Sequence, residues 1–333
     1  MTQFLDACYR AIVKQATSIA DTMTAAKADD LRPLSDKRLV LLIGCGDSYA
    51  VAEYGKWALL MLGFNAISVS PPELQRITIG SNCAVIGVSA SGRSLVTTEA
   101  LEFAKSLGAT TVALTDNPDG RAAQTAESVW QTRSGVDSYN ISPSAPTTAA
   151  MAYLLALASQ LPSPVQGGLR HDCQILESRG KEIIQWSEGQ GIAISKLVKR
   201  GDLLYLISDG PNYVAAQIGM MKLNEFSIAK GVAAVREEFQ HHYNLSIGKD
   251  ERAVLVLDDP VSPKDESFSK IVAGKLNMRT YLLHTDALDL VTPLAQAIPN
   301  TIALQMASYH VVQMHDPSKS GFKQPHADAF RIY

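Results

Sequence analysis

Short, continuous apolar runs alternate with longer amphipathic segments through most of this chain. Residues 39–43 read L-V-L-L-I, residues 84–88 read A-V-I-G-V and residues 110–114 read T-T-V-A-L, while segments with helical periodicity cover 48–62 and 94–107. Runs of β-branched residues and leucine without polar alternation are typical of strands that are covered on both faces. Strands that alternate with helices along the chain predict an α/β fold with a parallel sheet and crossover helices.

The second half of the chain begins like the first. Residues 39–52 read L-V-L-L-I-G-C-G-D-S-Y-A-V-A, and residues 203–216 read L-L-Y-L-I-S-D-G-P-N-Y-V-A-A, so that an offset of 164 residues aligns Gly46 with Gly210. Further strand-like runs recur downstream at a similar spacing. The pattern predicts two copies of one α/β unit.

The composition narrows the class of protein. Of 333 residues, 46% are hydrophobic and 19% are charged, and the net charge is −3 without a basic block. These values predict a globular protein with ample core and no nucleic-acid partner. We expect no membrane span and no signal peptide, because no apolar stretch is long enough. Four scattered cysteines without a C-x-x-C pair favour reduced thiols, a cytoplasmic location and no metal site.

Residues 89–94 read S-A-S-G-R-S and directly follow the apolar run 84–88. A loop that leaves a parallel strand and opens a helix is a common ligand position, and its hydroxyls and helix N-terminus suit a phosphate. The alternative is an ordinary turn in which Ser94 only caps the next helix. In the second half we find no counterpart of this loop.

A second glycine-containing loop, residues 44–48, reads G-C-G-D-S. A dinucleotide-binding fingerprint requires a third glycine, and Tyr49 stands at that position, which disfavours a nicotinamide-dependent enzyme. We therefore expect no cofactor. Ser48 lies at the start of the next predicted helix, where it either donates to a sugar phosphate or serves as the helix N-cap.

Proton-transfer groups are concentrated in the second half. Lys222 and Glu225 are three residues apart on a predicted helix and therefore share a face, either as a surface ion pair or as part of a site. Sixteen residues after Glu225 comes His241, whose side-chain type titrates nearest neutrality. The pair His241 and His242 is also compatible with a surface loop.

In this order and spacing, these segments resemble the sugar isomerase (SIS) domain family, and most closely the isomerase half of glucosamine-6-phosphate synthases, which carries two such domains. The resemblance runs from about residue 12 to residue 323. Its motifs are C-G-D-S at 45–48, S-A-S-G-R-S at 89–94, M-K-L-N-E at 221–225, E-F-Q-H at 238–241 and P-L-A-Q-A-I-P-N-T-I-A-L-Q at 293–305.

The resemblance implies two tandem SIS domains, each a doubly wound, flavodoxin-like α/β sandwich with a parallel sheet. It also implies an enzyme that interconverts ketose and aldose 6-phosphates, with no cofactor. It implies that Glu225 moves a proton between C1 and C2, with Lys222 beside it, that His241 opens the sugar ring, and that Lys323 forms an imine with the open-chain ketose. His241 would act in the neighbouring subunit of a homodimer. The residues that would bind the substrate and its phosphate are Ser48, Ser89, Ala90, Ser91, Ser94 and Ser142.

Some positions depart from the family pattern. Ala90 stands where the family has glutamine, and Arg93 stands where it has glutamate, so the contacts around the anion are expected to differ. The chain also continues beyond Lys323 and ends in an aromatic residue, which is similar to fructosamine-6-phosphate deglycases.

We expect the chain to be divided into five segments. They are an N-terminal helical segment (1–35), a first SIS domain that binds phosphate (36–165), a connecting helix (166–198), a second SIS domain with the catalytic Glu and His (199–315), and a C-terminal tail that closes over the active site (316–333).

The leading hypothesis is a phosphosugar isomerase that acts on a ketose, aldose or amino-sugar 6-phosphate. A glucosamine-6-phosphate deaminase or a fructosamine-6-phosphate deglycase would use the same Glu, His and imine chemistry. A non-catalytic sugar-phosphate sensor is a further alternative, but a sensor would not need Lys222, Glu225 and His241.

Overall fold

A computed structural model of the chain describes residues 2–136, 141, 142, 144–248, 251–322 and 330–332. Its strands and helices are, in chain order, α1 (Gln3–Met23), β1 (Leu39–Ile43), α2 (Asp47–Met61), β2 (Ala66–Val69), β3 (Cys83–Val88), α3 (Leu95–Ser106), β4 (Thr110–Thr115), α4 (Arg121–Thr125), β5 (Ser128–Gln131), α5 (Ala145–Gln160), α6 (Gln166–Ser178), α7 (Gly180–Ser195), β6 (Leu203–Ser208), α8 (Asn212–Phe226), β7 (Lys230–Val235), α9 (Arg236–His241), β8 (Arg252–Val256), α10 (Pro263–Lys270), β9 (Arg279–Leu283) and α11 (Pro293–His315).

One compact unit, here called unit I, comprises Thr17–Tyr139, Ala145–Ser178 and Gln324–Tyr333. Its five strands form a parallel sheet in the order β2-β1-β3-β4-β5. The central strand β3 is buried along its whole length, as a parallel sheet covered by its crossover helices requires. This is the flavodoxin-like strand order, in which the connections leave β1 and β3 toward opposite sides.

The other compact unit, here called unit II, comprises Met1–Ala16, Asn140–Ser144 and Arg179–Lys323. Its four strands are also parallel, in the order β7-β6-β8-β9. The apolar core contains the side chains of β6 and β8 together with Phe239 and Phe268. The prediction of an α/β fold with parallel sheets is confirmed for both units.

The two sheets repeat the same arrangement. The order β2-β1-β3-β4 in unit I corresponds to β7-β6-β8-β9 in unit II. The two glycines aligned by the offset, Gly46 and Gly210, have φ angles of 57° and 54°, a left-handed conformation that favours glycine. The sequence repeat therefore has a structural counterpart in strand order and in backbone conformation.

The strand ladders also locate the counterpart of the 89–94 loop. Gly87 of β3 and Leu255 of β8 occupy equivalent ladder positions beside β1 and β6. Residues 257–259 of unit II, which read L-D-D, therefore stand where unit I has S-A-S at 89–91. Asp258 and Asp259 stand at the positions of Ala90 and Ser91, and Leu257 stands at that of Ser89. Because carboxylates repel an anion, the two equivalent loops cannot serve the same anion.

The segment 166–198, predicted as one connecting helix, contains two helices, α6 and α7, which are separated at Arg179. No helix in the described part of the chain combines the length and the hydropathy needed to cross a bilayer. The division into five segments, with boundaries at 36, 166, 199 and 316, stays a prediction.

Candidate active site

In unit I, residues 89–94, here called the serine loop, leave the carboxyl end of β3 and lead into α3. β3 lies beside β1, and residues 44–46 lead from β1 into α2. In this strand order the position between β1 and β3 is where the chain connections diverge, and ligands of such sheets bind at that carboxyl edge. The two glycine-containing loops of the sequence thus lie at the expected ligand position.

The hydroxyls of the serine loop are largely buried. Ser89, Ser91 and Ser94 are each less than a tenth exposed. Ser91 Oγ accepts a hydrogen bond from the Arg93 N–H at 3.3 Å, and Ser94 Oγ accepts one from the Thr97 hydroxyl at 3.0 Å. Ser94 stands at the N-cap of α3 but makes no side-chain capping bond. The alternative that its hydroxyl is an ordinary helix cap is therefore wrong.

Ser48 is also not a cap. Helix α2 begins at Asp47 with Gly46 as its N-cap, and Ser48 is half-buried in the first turn. Its neighbour Cys45 places Sγ 3.9 Å from Thr97 Oγ1 on α3. The loop after β1 and the start of α3 therefore meet, and two helices begin at the same edge of the sheet. Helix N-termini and hydroxyls are uncharged donors that favour an anion.

The end of the described chain also reaches this edge of unit I. The Leu95 N–H, in the first turn of α3, donates to the Ile332 carbonyl at 3.3 Å. The last described residues therefore lie at the start of the helix that follows the serine loop.

In unit II, helix α8 carries the Lys222–Glu225 pair. Lys222 Nζ lies 2.9 Å from Glu225 Oε1 and 3.1 Å from Oε2. The Lys222 side chain is only 1% exposed, whereas that of Glu225 is 29% exposed. A surface ion pair, the alternative considered for these two residues, is therefore wrong. A buried ammonium is stable only with a charged or hydrogen-bonding partner, and Glu225 is that partner.

Ser142 completes the hydrogen bonding of this carboxylate. Its hydroxyl donates to Glu225 Oε2 at 2.8 Å, although the two residues are 83 positions apart in the sequence. Glu225 is thus held by an ammonium and a hydroxyl, and its partial exposure leaves it open to solvent. Ser142, predicted as a substrate-binding residue, contacts the predicted proton carrier.

Behind Lys222 lies a cavity of about 10 Å³, lined in part by Cys8, Ser142, Ser144 and Gln305. A cavity of this size holds about one water molecule, so a sugar cannot enter it and can reach Glu225 only from its exposed side. Burial raises the pKa of the Cys8 thiol to about 11, and the Glu225 carboxylate adds to the rise. Cys8 therefore stays neutral. No sequence pattern pointed to Cys8, because it occupies an apolar position of α1.

A larger cavity of about 500 Å³ lies in unit II along the edge strand β7. Among the described residues, its lining contains Asn224 and Lys230 but no carboxylate or imidazole. It therefore offers no carboxylate or imidazole as a general base.

The remaining predicted catalytic residues are His241 and Lys323. His241 is the last residue of α9, its side chain is 70% exposed, and its Nε2 lies 3.2 Å from Glu237 Oε1. Lys323 lies outside the described residues. Unit II therefore brings together Lys222, Glu225 and Ser142, while His241 faces solvent.

Comparison with known proteins agrees with this fold. Residues 33–159 match the model of the SIS domain, which confirms the resemblance recognised in the motifs. The chain is 28% identical over 269 residues to the glutamine–fructose-6-phosphate aminotransferase (isomerizing) of Aquifex aeolicus, an alignment that covers 79% of the chain. It spans less than half of that relative, 44% of its length.

Solved structures share the fold at low identity. The C-terminal domain of the glucosamine-fructose-6-phosphate aminotransferase of Francisella tularensis superimposes with a TM-score of 0.76 at 17% identity, covering 96% of this chain and 98% of that one. The glucosamine-6-phosphate deaminase of Thermotoga maritima superimposes with a TM-score of 0.71 at 15% identity, with the same coverage.

Proposed function

We propose that this chain, whose residues 33–159 form a SIS domain, is a double-SIS phosphosugar isomerase that transfers a proton between C1 and C2 of a ketose, aldose or amino-sugar 6-phosphate. The observation that carries the proposal is the partly exposed Glu225 carboxylate, fixed by a buried ammonium and a hydroxyl. A general base must be held in one orientation and still be reached by its substrate, and Glu225 meets both conditions.

The serine loop of unit I is proposed to hold the phosphate. Its position at the carboxyl edge between β1 and β3, its three buried serines and the start of α3 support this assignment. Ser48 and Ser94 would donate hydroxyls from the two loops, and Ala90 would contribute only its backbone. Hydrogen bonds to a charged acceptor are stronger than neutral ones, so these groups suffice without a lysine.

Glu225 is proposed to carry the proton. In the forward direction the carboxylate takes the proton from C1 of the open-chain ketose, the C1–H electron pair forms the C1–C2 double bond, and the C2 carbonyl oxygen takes a proton from solvent to give the enediol. The C1 hydroxyl then releases its proton to solvent and its electron pair forms the aldehyde C=O bond, while the electron pair of the C1–C2 double bond takes the proton back from Glu225 at C2. Charge and atoms balance, and no net hydrogen is lost.

Lys222 and Ser142 are proposed to orient this carboxylate. The two bonds from Lys222 Nζ fix one face of Glu225, and the Ser142 hydroxyl fixes Oε2. The carboxylate is therefore oriented before the substrate binds.

His241 is proposed to open the sugar ring in the active site of a second copy of the chain, and its exposed position on α9 suits a role outside its own unit. Lys323, outside the described residues, is proposed as the imine-forming lysine for an amino-sugar or ketose substrate. An imine would make the C1 proton more acidic than a ketone does.

The proposal is tested with a panel of hexose and amino-hexose 6-phosphates, incubated with the protein with and without ammonia and followed by NMR. Conversion between aldose and ketose supports the isomerase, and release of ammonia identifies a deaminase. Release of the amino compound from a fructosamine 6-phosphate identifies a deglycase. A panel that is bound but unchanged overturns the enzymatic proposal in favour of a sensor.

A further inference from the structure

The turn between β4 and α4, residues 115–120, contacts the serine loop and is here called the support turn. It reads T-D-N-P-D-G. It follows the strand next to β3 in the sheet, so its residues stand beside the serine loop at the same carboxyl edge. None of the sequence motifs described above includes it.

The support turn binds the carbonyl groups of the serine loop. Asn117 Nδ2 donates to the Ser91 carbonyl at 3.0 Å. The Ala90 carbonyl accepts from the Asp116 N–H at 3.1 Å and from the Thr115 hydroxyl at 3.3 Å. Two successive carbonyls of the loop are therefore fixed from one side.

The backbones of the two segments also touch. Gly92 has a φ of 64°, and a Cβ added at Gly120 would lie 2.8 Å from Gly92 Cα. The Gly92 carbonyl accepts from the Ala122 N–H at 3.1 Å. Any side chain at Gly120 would push the serine loop out of its position, so the contact needs glycine on both sides.

The support turn is itself held in place. The Asn117 N–H donates to Thr115 Oγ1 at 3.1 Å, and Asn117 Oδ1 accepts from the Asp119 N–H at 3.2 Å. The Asp116 carboxylate accepts from the Thr132 hydroxyl and the Ser134 N–H at 2.9 and 2.7 Å. Its negative charge is thus engaged by other donors beside the loop.

We propose that Asn117 is a positioning residue for phosphate binding, acting through the serine loop; this inference rests on the proposed function of that loop. In a trans peptide the carbonyl and the following N–H point in opposite directions. Asn117 fixes the Ser91 carbonyl toward the support turn, so the Gly92 N–H points away from it and closes the loop on the Ser89 carbonyl at 3.0 Å.

The Thr115 hydroxyl and the Asp116 N–H fix the Ala90 carbonyl in the same way, which aims the Ser91 N–H away from the support turn. Donors that are already oriented lose less conformational entropy when they bind an anion.

The test compares Asn117→Ala with Asn65→Ala by titrating each protein with inorganic phosphate. Asn65 is the matched control, because its Nδ2 also donates to a backbone carbonyl, that of Arg38 at 3.1 Å, at the opposite, amino edge of the same sheet. Because Asn117→Ala loses one oriented contact, we predict that its Kd for phosphate is about five- to tenfold higher than that of the wild-type protein. We expect no change of that Kd in Asn65→Ala.

A second variant, Gly120→Ala, tests the same contact without touching a hydrogen-bonding group, and its added Cβ should weaken phosphate binding as Asn117→Ala does. Thermal unfolding of each variant shows whether it is folded. An unchanged phosphate Kd in Asn117→Ala and Gly120→Ala, with a raised Kd in Ser91→Ala/Ser94→Ala, overturns the positioning role and leaves the proposed function standing. Wild-type protein that binds neither phosphate nor fructose 6-phosphate overturns both.

Discussion

At the scale of single residues, the buried Lys222 ammonium determines which Glu225 variants can test the candidate site. Its ammonium is removed from water and is paired with Glu225, and an unpaired buried charge would destabilise the fold by several kcal/mol. Glu225 therefore has a structural role as well as its proposed chemical one. A variant that tests the chemistry must keep an acceptor for Lys222, which Glu225→Gln does and Glu225→Ala does not.

Cys45 offers a reporter at the serine loop. It is the exposed one of the four cysteines, and Cys8, Cys83 and Cys173 are buried. Burial raises the pKa of the Cys8 and Cys173 thiols to about 11, so both stay protonated and unreactive at pH 8. Iodoacetamide should therefore alkylate a single thiol rapidly, and Cys45→Ser should abolish that reaction.

Fructose 6-phosphate should slow the alkylation of Cys45, because Cys45 Sγ lies beside Thr97 at the start of α3. Glucitol, which has no phosphate, serves as the control and should leave the rate unchanged. Equal rates of Cys45 alkylation with and without fructose 6-phosphate would mean that the phosphate binds elsewhere.

His310 should make the stability of the protein depend on pH. Burial lowers the pKa of this imidazole, and Glu188, 3.6 Å away, opposes the shift only in part. The unfolded chain therefore binds a proton more readily than the folded one, so the free energy of unfolding should fall as the pH drops below about 6.5, the ordinary pKa of histidine. Urea unfolding between pH 8 and 5 measures this, and His310→Gln should show a smaller fall than the wild-type protein.

At the scale of elements, the serine loop should distinguish phosphorylated from neutral sugars. Ser91→Ala together with Ser94→Ala removes two hydroxyls from the loop, and losing a hydrogen bond to a charged group costs about 1.5–3 kcal/mol. Affinity for fructose 6-phosphate, measured by calorimetry, should fall roughly ten- to a hundredfold.

Ser106→Ala together with Ser178→Ala is the matched control for the serine-loop variant. Both of these serines lie in unit I and are exposed, and each hydroxyl binds a carbonyl of its own helix. If the control weakens binding as much as the loop variant does, the serine loop is not the phosphate site.

The elements that were predicted correctly are those whose secondary structure is determined by their own local sequence. The strands β1, β3 and β4 follow from continuous apolar runs, and the shared face of Lys222 and Glu225 follows from helical spacing. Strand β5 was missed because Ser128–Gln131 is short and only Trp130 in it is buried. The burial of Lys222 and the contact of Glu225 with Ser142, 83 positions away, depend on tertiary packing, which no local pattern contains.

At the scale of the whole molecule, the proposed homodimer can be tested by mixing two inactive variants. Glu225→Gln and His241→Asn should each be inactive alone. If His241 serves the active site of the other subunit, a mixed dimer regains one complete site, and random exchange in a twofold-symmetric dimer predicts about a quarter of wild-type activity.

The mixing is done by refolding the two variants together, and activity is compared with each variant refolded alone. No recovery in the mixture would mean that His241 acts within its own chain, whereas activity of His241→Asn alone would mean that His241 has no catalytic role.

The most direct test of the account is solvent exchange at C1 of fructose 6-phosphate, followed by NMR in D₂O with wild-type protein and Glu225→Gln. Glu266→Gln is the control, because Glu266 forms an exposed ion pair with Lys270 in the same unit. We predict deuterium incorporation with the wild-type and the control proteins. In Glu225→Gln we predict exchange at least about a thousandfold slower, while the sugar phosphate still binds within roughly threefold of its normal affinity. Exchange in Glu225→Gln at the wild-type rate would contradict the account.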